Sequence, residues 1–334
     1  MTQKGALCAT IATFFALGAL ADVGCARGDS ARAYEDLDGG EALADAASAT
    51  TDSAVEAAVS SDASNSGERC DPKKPFGAPV ARTELASTAV DSDARLTSDE
   101  RTVFFRSERP GPAGGSGDIW YATRTSVTAP FGAPLQLTAV SGAEYDFSPS
   151  VTDDLLTLVL VRGAAKIFRA TRSSQTASFG APSEMPGLYA DGIDTQAYLL
   201  PNGKRLYFVS TRASLGTRGQ PSIMVADPNN PSSVPAAFPE LDSSTPAFPV
   251  VTADELSVYF ASPRTDGGAK GERDIWRADR TSVTAPFGAP VPVAELNSAS
   301  DDLPSWISPD GCVAYLSSTR DGATFKIYEA KRPR

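Results

Sequence analysis

The chain of 334 residues is 41% hydrophobic, with 25 prolines, 27 glycines, four cysteines and no histidine. The missing imidazole excludes Ser-His-Asp and Cys-His nucleophiles and His-ligated zinc, leaving carboxylate chemistry or pure binding. A formal net charge of −11 argues against nucleic acid, whose phosphates need a basic face.

Met1–Lys4 carry one positive charge, and residues 5–21 (GALCATIATFFALGALA) are apolar before small residues and Cys25. This tripartite pattern predicts a secretory signal peptide over 1–24, the alternative being a retained anchor helix. Ala21-Asp22-Val23-Gly24-Cys25 resembles a bacterial lipobox, which implies a lipidated Cys25 at the mature N-terminus. Asp22 departs from the usual leucine, and ordinary cleavage to a soluble exported protein is the alternative. Because Ala26 follows the cysteine, no inner-membrane retention aspartate is present, and the resemblance implies an outer-membrane lipoprotein. Membrane contact is expected through this lipid only. Residues 25–69 are rich in Ala, Ser and Asp, with ten acidic residues against three arginines. Such a segment buries too little apolar surface to offset its ordering entropy and is expected to be a disordered tether.

From Cys70 onward the sequence repeats. TSDERTVFFRSER (97–109) and GDIWYATRTSVTAPFGAP (117–134) return as TADELSVYFASPR (252–264) and RDIWRADRTSVTAPFGAP (273–290). Degenerate copies contain TDDLLTLVLVRG, PNGKRLYFVSTR and SPDGCVAYLSSTR. The turn residues Asp99, Asp154, Asn202, Asp254 and Asp310 serve as anchors spaced about 50 residues apart. Each copy reads as a strand, a turn, an alternating β-branched and aromatic strand, a third strand of the DIWYATR type and a short strand after Phe-Gly. Four strands per repeat of that length mark a propeller blade.

Phe-Gly segments lie at Phe76, Phe131, Phe179 and Phe287, with a degenerate one at Phe238. The first precedes the first anchor and none follows the last, so residues 75–85 are expected to supply the outer strand of blade five. The predicted fold is all-β: a five-bladed β-propeller of four-stranded antiparallel blades over 70–334, closed by the N-terminal strand. After processing, Cys70 and Cys312 remain. An exported compartment permits a disulfide between them that staples the chain ends, the alternative being two free thiols.

The unit S/T-x-D-x-x-x-x-Y-F-x-S-x-R followed by D-I-W-x-A-x-R resembles the WD40-like repeat of TolB-type β-propellers, over residues 75–334. TolB itself has six blades and an N-terminal α/β domain, where this chain has five copies and a tether. The resemblance implies an envelope protein that binds other proteins or wall components.

Eight residues before the anchors stand Asp91, Asp146, Asp194, Pro246 and Asp302. At the start of each innermost strand, four carboxylates would ring the channel mouth, a socket for a cation or a basic peptide. The competing reading pairs them with Arg109, Arg212 and Arg320, ten residues after the anchors, expected directly opposite across the hairpin, with Arg162 near Asp146. Four residues before the anchors the copies differ most, which makes Arg95, Tyr198 and Trp306 candidate ligand contacts. The recurring aromatics Phe104, Phe105, Tyr207, Phe208, Tyr259, Phe260, Trp120 and Trp276 read as inter-blade core. The sequence favours a monomeric, non-catalytic binding propeller without metal or cofactor, facing an envelope protein or glycan. The alternatives are a carboxylate-based glycoside hydrolase or lyase, and a structural spacer.

Overall fold

Every copy of the repeat is organised by its turn. In the computed structural model, Thr97 Oγ1 donates to Asp99 at 2.6 Å, and the same carboxylate accepts the Arg101 amide at 3.0 Å. Thr152–Asp154, Thr252–Asp254 and Ser308–Asp310 repeat the arrangement, and Asn202 keeps its amide contact to Lys204. The next residue is left-handed in all five copies: Glu100, Leu155, Gly203, Glu255 and Gly311 have φ between 59° and 70°. The Ser/Thr-x-Asp motif is thus a side-chain-stabilised hairpin turn.

The structure describes residues 69–334 except 116, 164–165, 189–191 and 231, and the side chains of 243–244. The signal segment, Cys25 and the tether up to residue 68 lie outside the described residues. After β1 (Val80–Ala81), blade one holds β2 (Asp91–Leu96), β3 (Thr102–Ser107), β4 (Asp118–Thr123) and β5 (Leu135–Gln136). Blade two holds β6 (Asp146–Val151), β7 (Thr157–Arg162), β8 (Lys166–Thr171) and β9 (Ser183–Glu184). Blade three holds β10 (Asp194–Leu199), β11 (Leu206–Ser210), β12 (Ser222–Ala226) and β13 (Ala236–Ala237). Blade four holds β14 (Ala247–Val251), β15 (Ser257–Ser262), β16 (Asp274–Asp279) and β17 (Val291–Pro292). Blade five holds β18 (Asp302–Ile307), β19 (Val313–Ser318) and β20 (Lys326–Lys331), with β1 as its fourth strand. The first strands of successive blades touch in a closed circle, β18 meeting β2.

In β1, Val80 pairs with Glu329 and Ala81 with Tyr328. Gly77 donates to the Lys331 carbonyl, as Gly132, Gly180 and Gly288 do to Thr123, Thr171 and Asp279. The Phe-Gly segment ahead of the first anchor therefore sits on blade five as its relatives sit on theirs. Cys70 and Cys312 form a disulfide, with Cα atoms 5.6 Å apart.

The core lies between blades. Val159 and Val161 pack with Leu199, Leu206 and Phe208 of the next blade, and all eight recurring aromatics are buried. An arginine at the end of the third strand bolts each Phe-Gly segment to the turn. Arg124, Arg172 and Arg280 stack at 4.5 Å on Phe131, Phe179 and Phe287 and donate Nε to the carbonyls of Glu100, Leu155 and Glu255 at 2.7 Å. Arg332 does the same for Phe76 and Gly311. In blade three Asp227 occupies that place, and Asn229 Nδ2 reaches the Gly203 carbonyl instead.

Candidate binding face and axis

The four aspartates that open the inner strands are wholly buried. Asp91 accepts from the Ser87 amide, Ser107 Oγ and Arg109, at 2.6 to 2.7 Å, with Lys326 at 3.3 Å. Asp302 accepts from Ser298 and from Arg320, the latter at 2.5 Å. Asp146 takes two bonds from Arg162, and Asp194 takes Arg212 Nε at 3.1 Å. Each arginine also donates to a carbonyl of the connection entering its blade: Leu85, Val140, Gly187 or Leu296. One guanidinium thus ties strand start, hairpin and incoming loop together.

One sequence expectation is corrected. The arginine ten residues after the anchor does not stand opposite the aspartate. Asp91 faces Ser107 and Asp302 faces Ser318, eight residues after the anchor, and Arg109 and Arg320 reach back from beyond. In blade two Arg162 occupies the facing position itself. Two shifts of one residue each produce the difference: the turn pairs Leu96 with Val103, one residue short of the simple hairpin count, and the inner-strand bulge consumes another. In blade four, where Pro246 replaces the acid, Arg264 turns to Asp266 at 2.7 Å and lies 4.6 Å from the Trp276 ring centroid.

The bulge recurs in all five inner strands. Asp93, Ser148, Gln196 and Phe248, each six residues before its anchor, take positive φ of 48–57°. Left-handed backbone is costly for such residues, so the surroundings must hold it. They do so blade to blade: Ser148 N–H donates to Asp93 Oδ2 at 3.1 Å, Phe248 N–H to Gln196 Oε1 at 2.9 Å, and Asp93 N–H to Ser317 Oγ at 2.9 Å. Sequence reasoning missed Ser148, Gln196 and Phe248, because their unlike side chains share only an offset. Around this ring, Tyr145, Thr195, Gln196, Phe248 and Phe325 keep partly exposed side chains. Arg106 lies 4.5 Å from the Tyr145 ring centroid, and burial pushes the Tyr145 phenol above its ordinary value, against the pull of that arginine. Phe248 and Phe325 pack on Leu303.

Two residues deeper, Arg95, Ser150, Tyr198, Val250 and Trp306 are all buried. Arg95, Tyr198 and Trp306 are brought together around a small cavity, with the Arg95 guanidinium 4.8 Å from the Tyr198 ring centroid. A groove of about 200 Å³ between blades two and three is lined by Thr152, Asp154, Arg169, Asn202 and Asn229. There Gly203 lacks the side chain that Glu100, Leu155 and Glu255 carry at the same turn position. Among the described residues, no group of three or more Cys, Asp or Glu is placed to hold a metal ion.

The fold defines the class: a five-bladed β-propeller of four-stranded antiparallel blades. No protein-family profile and no curated protein matches the chain. Among solved structures it is similar to TolB from Acinetobacter baumannii (18% identity, TM-score 0.46), covering 75% of this chain and 56% of that one. A putative TolB from Agrobacterium tumefaciens matches at 15% identity and TM-score 0.45, covering 73% of this chain and 78% of that one. The α-L-arabinofuranosidase of Podospora anserina, in complex with cellotriose, matches at 12% identity and TM-score 0.46, covering 77% and 96%. The chain spans little more than half the length of the Acinetobacter TolB, and at these identities the likeness is one of fold.

Proposed function

We propose that this chain is a non-catalytic binding propeller of the bacterial cell envelope, receiving a protein or cell-wall glycan on the face where the inner strands begin. The observation that carries this reading is the division of labour on that face. The buried carboxylates Asp91, Asp146, Asp194 and Asp302 are bound to arginines within the frame. The partly exposed ring of Tyr145, Thr195, Gln196, Phe248 and Phe325 offers aromatic surface and neutral hydrogen-bonding groups instead. Aromatic faces beside amide and hydroxyl groups suit extended peptide or sugar. Export is supported by the leader pattern over 1–24 and by the Cys70–Cys312 disulfide, a bond that persists in oxidising compartments. Anchoring through Cys25 in the outer membrane belongs to the same proposal.

The test compares the full chain with a Gln196→Ala/Phe248→Ser variant in capture from envelope extract and in co-sedimentation with purified cell wall. The expected result is loss of one captured species by the variant, with an unchanged circular dichroism spectrum. Identical binding by both proteins would overturn the assignment of this face. Cleavage of wall glycan by the wild type would replace the binding reading with carboxylate hydrolysis.

A further inference from the structure

The residues four places before each turn meet near the propeller axis, and one of them is chemically out of place. Ser150, Tyr198, Val250 and Trp306 are neutral, whereas Arg95 brings a guanidinium into the same buried layer with 3% exposure. The Ser150 hydroxyl is already engaged, donating to the Leu199 carbonyl at 3.1 Å and accepting the Leu199 amide at 2.9 Å. The buried Nε and Nη1 of Arg95 have no hydrogen-bond partner, and no ion pair to Arg95 forms among the described residues. The Asp93 carboxylate is near enough to act on Arg95 electrostatically but accepts the Ser148 amide.

A guanidinium cannot escape this situation by losing its proton. Burial does draw its pKa below the ordinary value, while Tyr198 and Asp93 oppose that shift. The Tyr198 ring interacts with the cation at 4.8 Å and does not accept the in-plane N–H bonds. Unsatisfied buried donors on a charged group are costly, so this position calls for an acceptor, and preferably a charged one.

Beside the guanidinium lies a cavity of about 10 Å³, bounded by Arg95, Ser150, Tyr198, Pro201 and Trp306. That is room for roughly one sphere the size of a water molecule. A halide ion is larger than that sphere and seats only if the lining gives by a few tenths of an ångström, whereas sulfate or phosphate needs several times the space. Water would supply an acceptor but add no charge to the field that Asp93 already exerts. A halide supplies both acceptor and charge.

We propose that Arg95 is the ligand of a small-anion site on the propeller axis, binding one halide-sized monovalent anion between Arg95, Tyr198 and Trp306. This site is separate from the partner-binding face and does not depend on it.

The test uses the full chain at fixed ionic strength in sodium chloride, sodium bromide or sodium gluconate, whose anion is too large for the cavity. Wild type is expected to melt at higher temperature in chloride and bromide, with a shift that saturates as halide rises. Arg95→Met should melt at the same temperature in all three salts. Because that variant also changes core packing, wild-type crystals in bromide provide an independent reading: an anomalous peak is expected beside Nε and Nη1. No salt difference in wild type, the same difference in Arg95→Met, or water without anomalous signal at that position would each overturn the proposal.

Discussion

Arg109 donates to Asp91 at 2.7 Å from two positions beyond Ser107, the residue that faces this aspartate across the hairpin. Ser107 Oγ donates to Asp91 and accepts from Arg109 Nε, so serine, aspartate and arginine close a small network. Ser318 and Arg320 reproduce the serine–arginine contact beside Asp302. In blade two a single Arg162 takes over both positions. Asp91→Ala leaves Arg109 and Lys326 without their buried counter-charge and should cost about 3–5 kcal/mol. Glu144→Ala, removing a carboxylate that is 65% exposed and 3.9 Å from Arg162, should cost less than about 1 kcal/mol. Urea unfolding at neutral pH measures both; equal losses would contradict a framing role for Asp91.

These carboxylates respond to acid in opposite directions. Burial raises the pKa of Asp91, but bonds from Ser107, Arg109 and Ser87 outweigh it and hold the carboxyl below its ordinary value of 3.8. Asp91 therefore adds stability that is complete above the unfolded value and disappears as pH falls through the folded one. Asp310 is lowered too, its burial outweighed by bonds from Ser308, Cys312 and Arg69. At Asp146 burial prevails over the bonds from Arg162, and the carboxyl is raised. Its ionised form thus opposes folding above pH 3.8, an opposition relieved on acidification. Asp91→Asn should flatten the fall in stability below about pH 4, whereas Asp146→Asn should remove a gain that the wild type makes as pH falls from the raised folded value of Asp146 towards 3.8. Unfolding free energies across pH 3–6 check both signs.

The arginine bolts on the opposite side predict a graded series. Arg172 stacks on Phe179 and donates to the Leu155 carbonyl, so Arg172→Ala removes a charge-assisted hydrogen bond and a cation–π contact together. A loss of about 2–3 kcal/mol is expected, only partly recovered in Arg172→Lys, because an ammonium lacks the planar fork. Asn229→Ala removes the neutral bond that replaces the bolt in blade three, at about 1 kcal/mol. Denaturant midpoints should rank the three variants in that order.

Recurrence made the blade count, the strand order and the inter-blade aromatics legible, because each copy confirmed the others. The pairing of acid and arginine was legible as well, though not its register. Register depends on the bulge, and a left-handed residue leaves no mark when it is Asp in one blade, Ser, Gln or Phe in others. Three of the bolts, Arg124, Arg172 and Arg280, stand in the repeats ahead of a Thr-Ala-Pro/Ser-Phe-Gly run, while Arg332 lies at the far end of the chain from Phe76, and the type of residue alone did not say that it folds back onto the turn. Arg95, Tyr198 and Trp306 stood out through their departure from the repeat, and the structure brings them together.

The last blade depends on a strand of two residues. Val80 and Ala81 supply few hydrogen bonds to β20, too few to hold a chain end by pairing alone. Arg82, which follows, donates its amide to the Ile327 carbonyl and its side chain to Glu329 at 3.1 Å. The Cys70–Cys312 disulfide fixes the same segment from its other side, across a sequence separation of 242 residues. On the chain-entropy model such a link contributes on the order of 5 kcal/mol. Cys312→Ser should lower the unfolding free energy by an amount of that order, and reduction of the wild type with dithiothreitol should reproduce the loss. Hydrogen exchange locates the effect: the amides of Gly77 and Arg82, bonded to Lys331 and Ile327, should exchange faster in the variant. Amides within β11 of blade three, remote from the link in sequence, should change only as global stability does. Unchanged exchange at Gly77 and Arg82 would show that the Phe-Gly segment holds blade five without its staple.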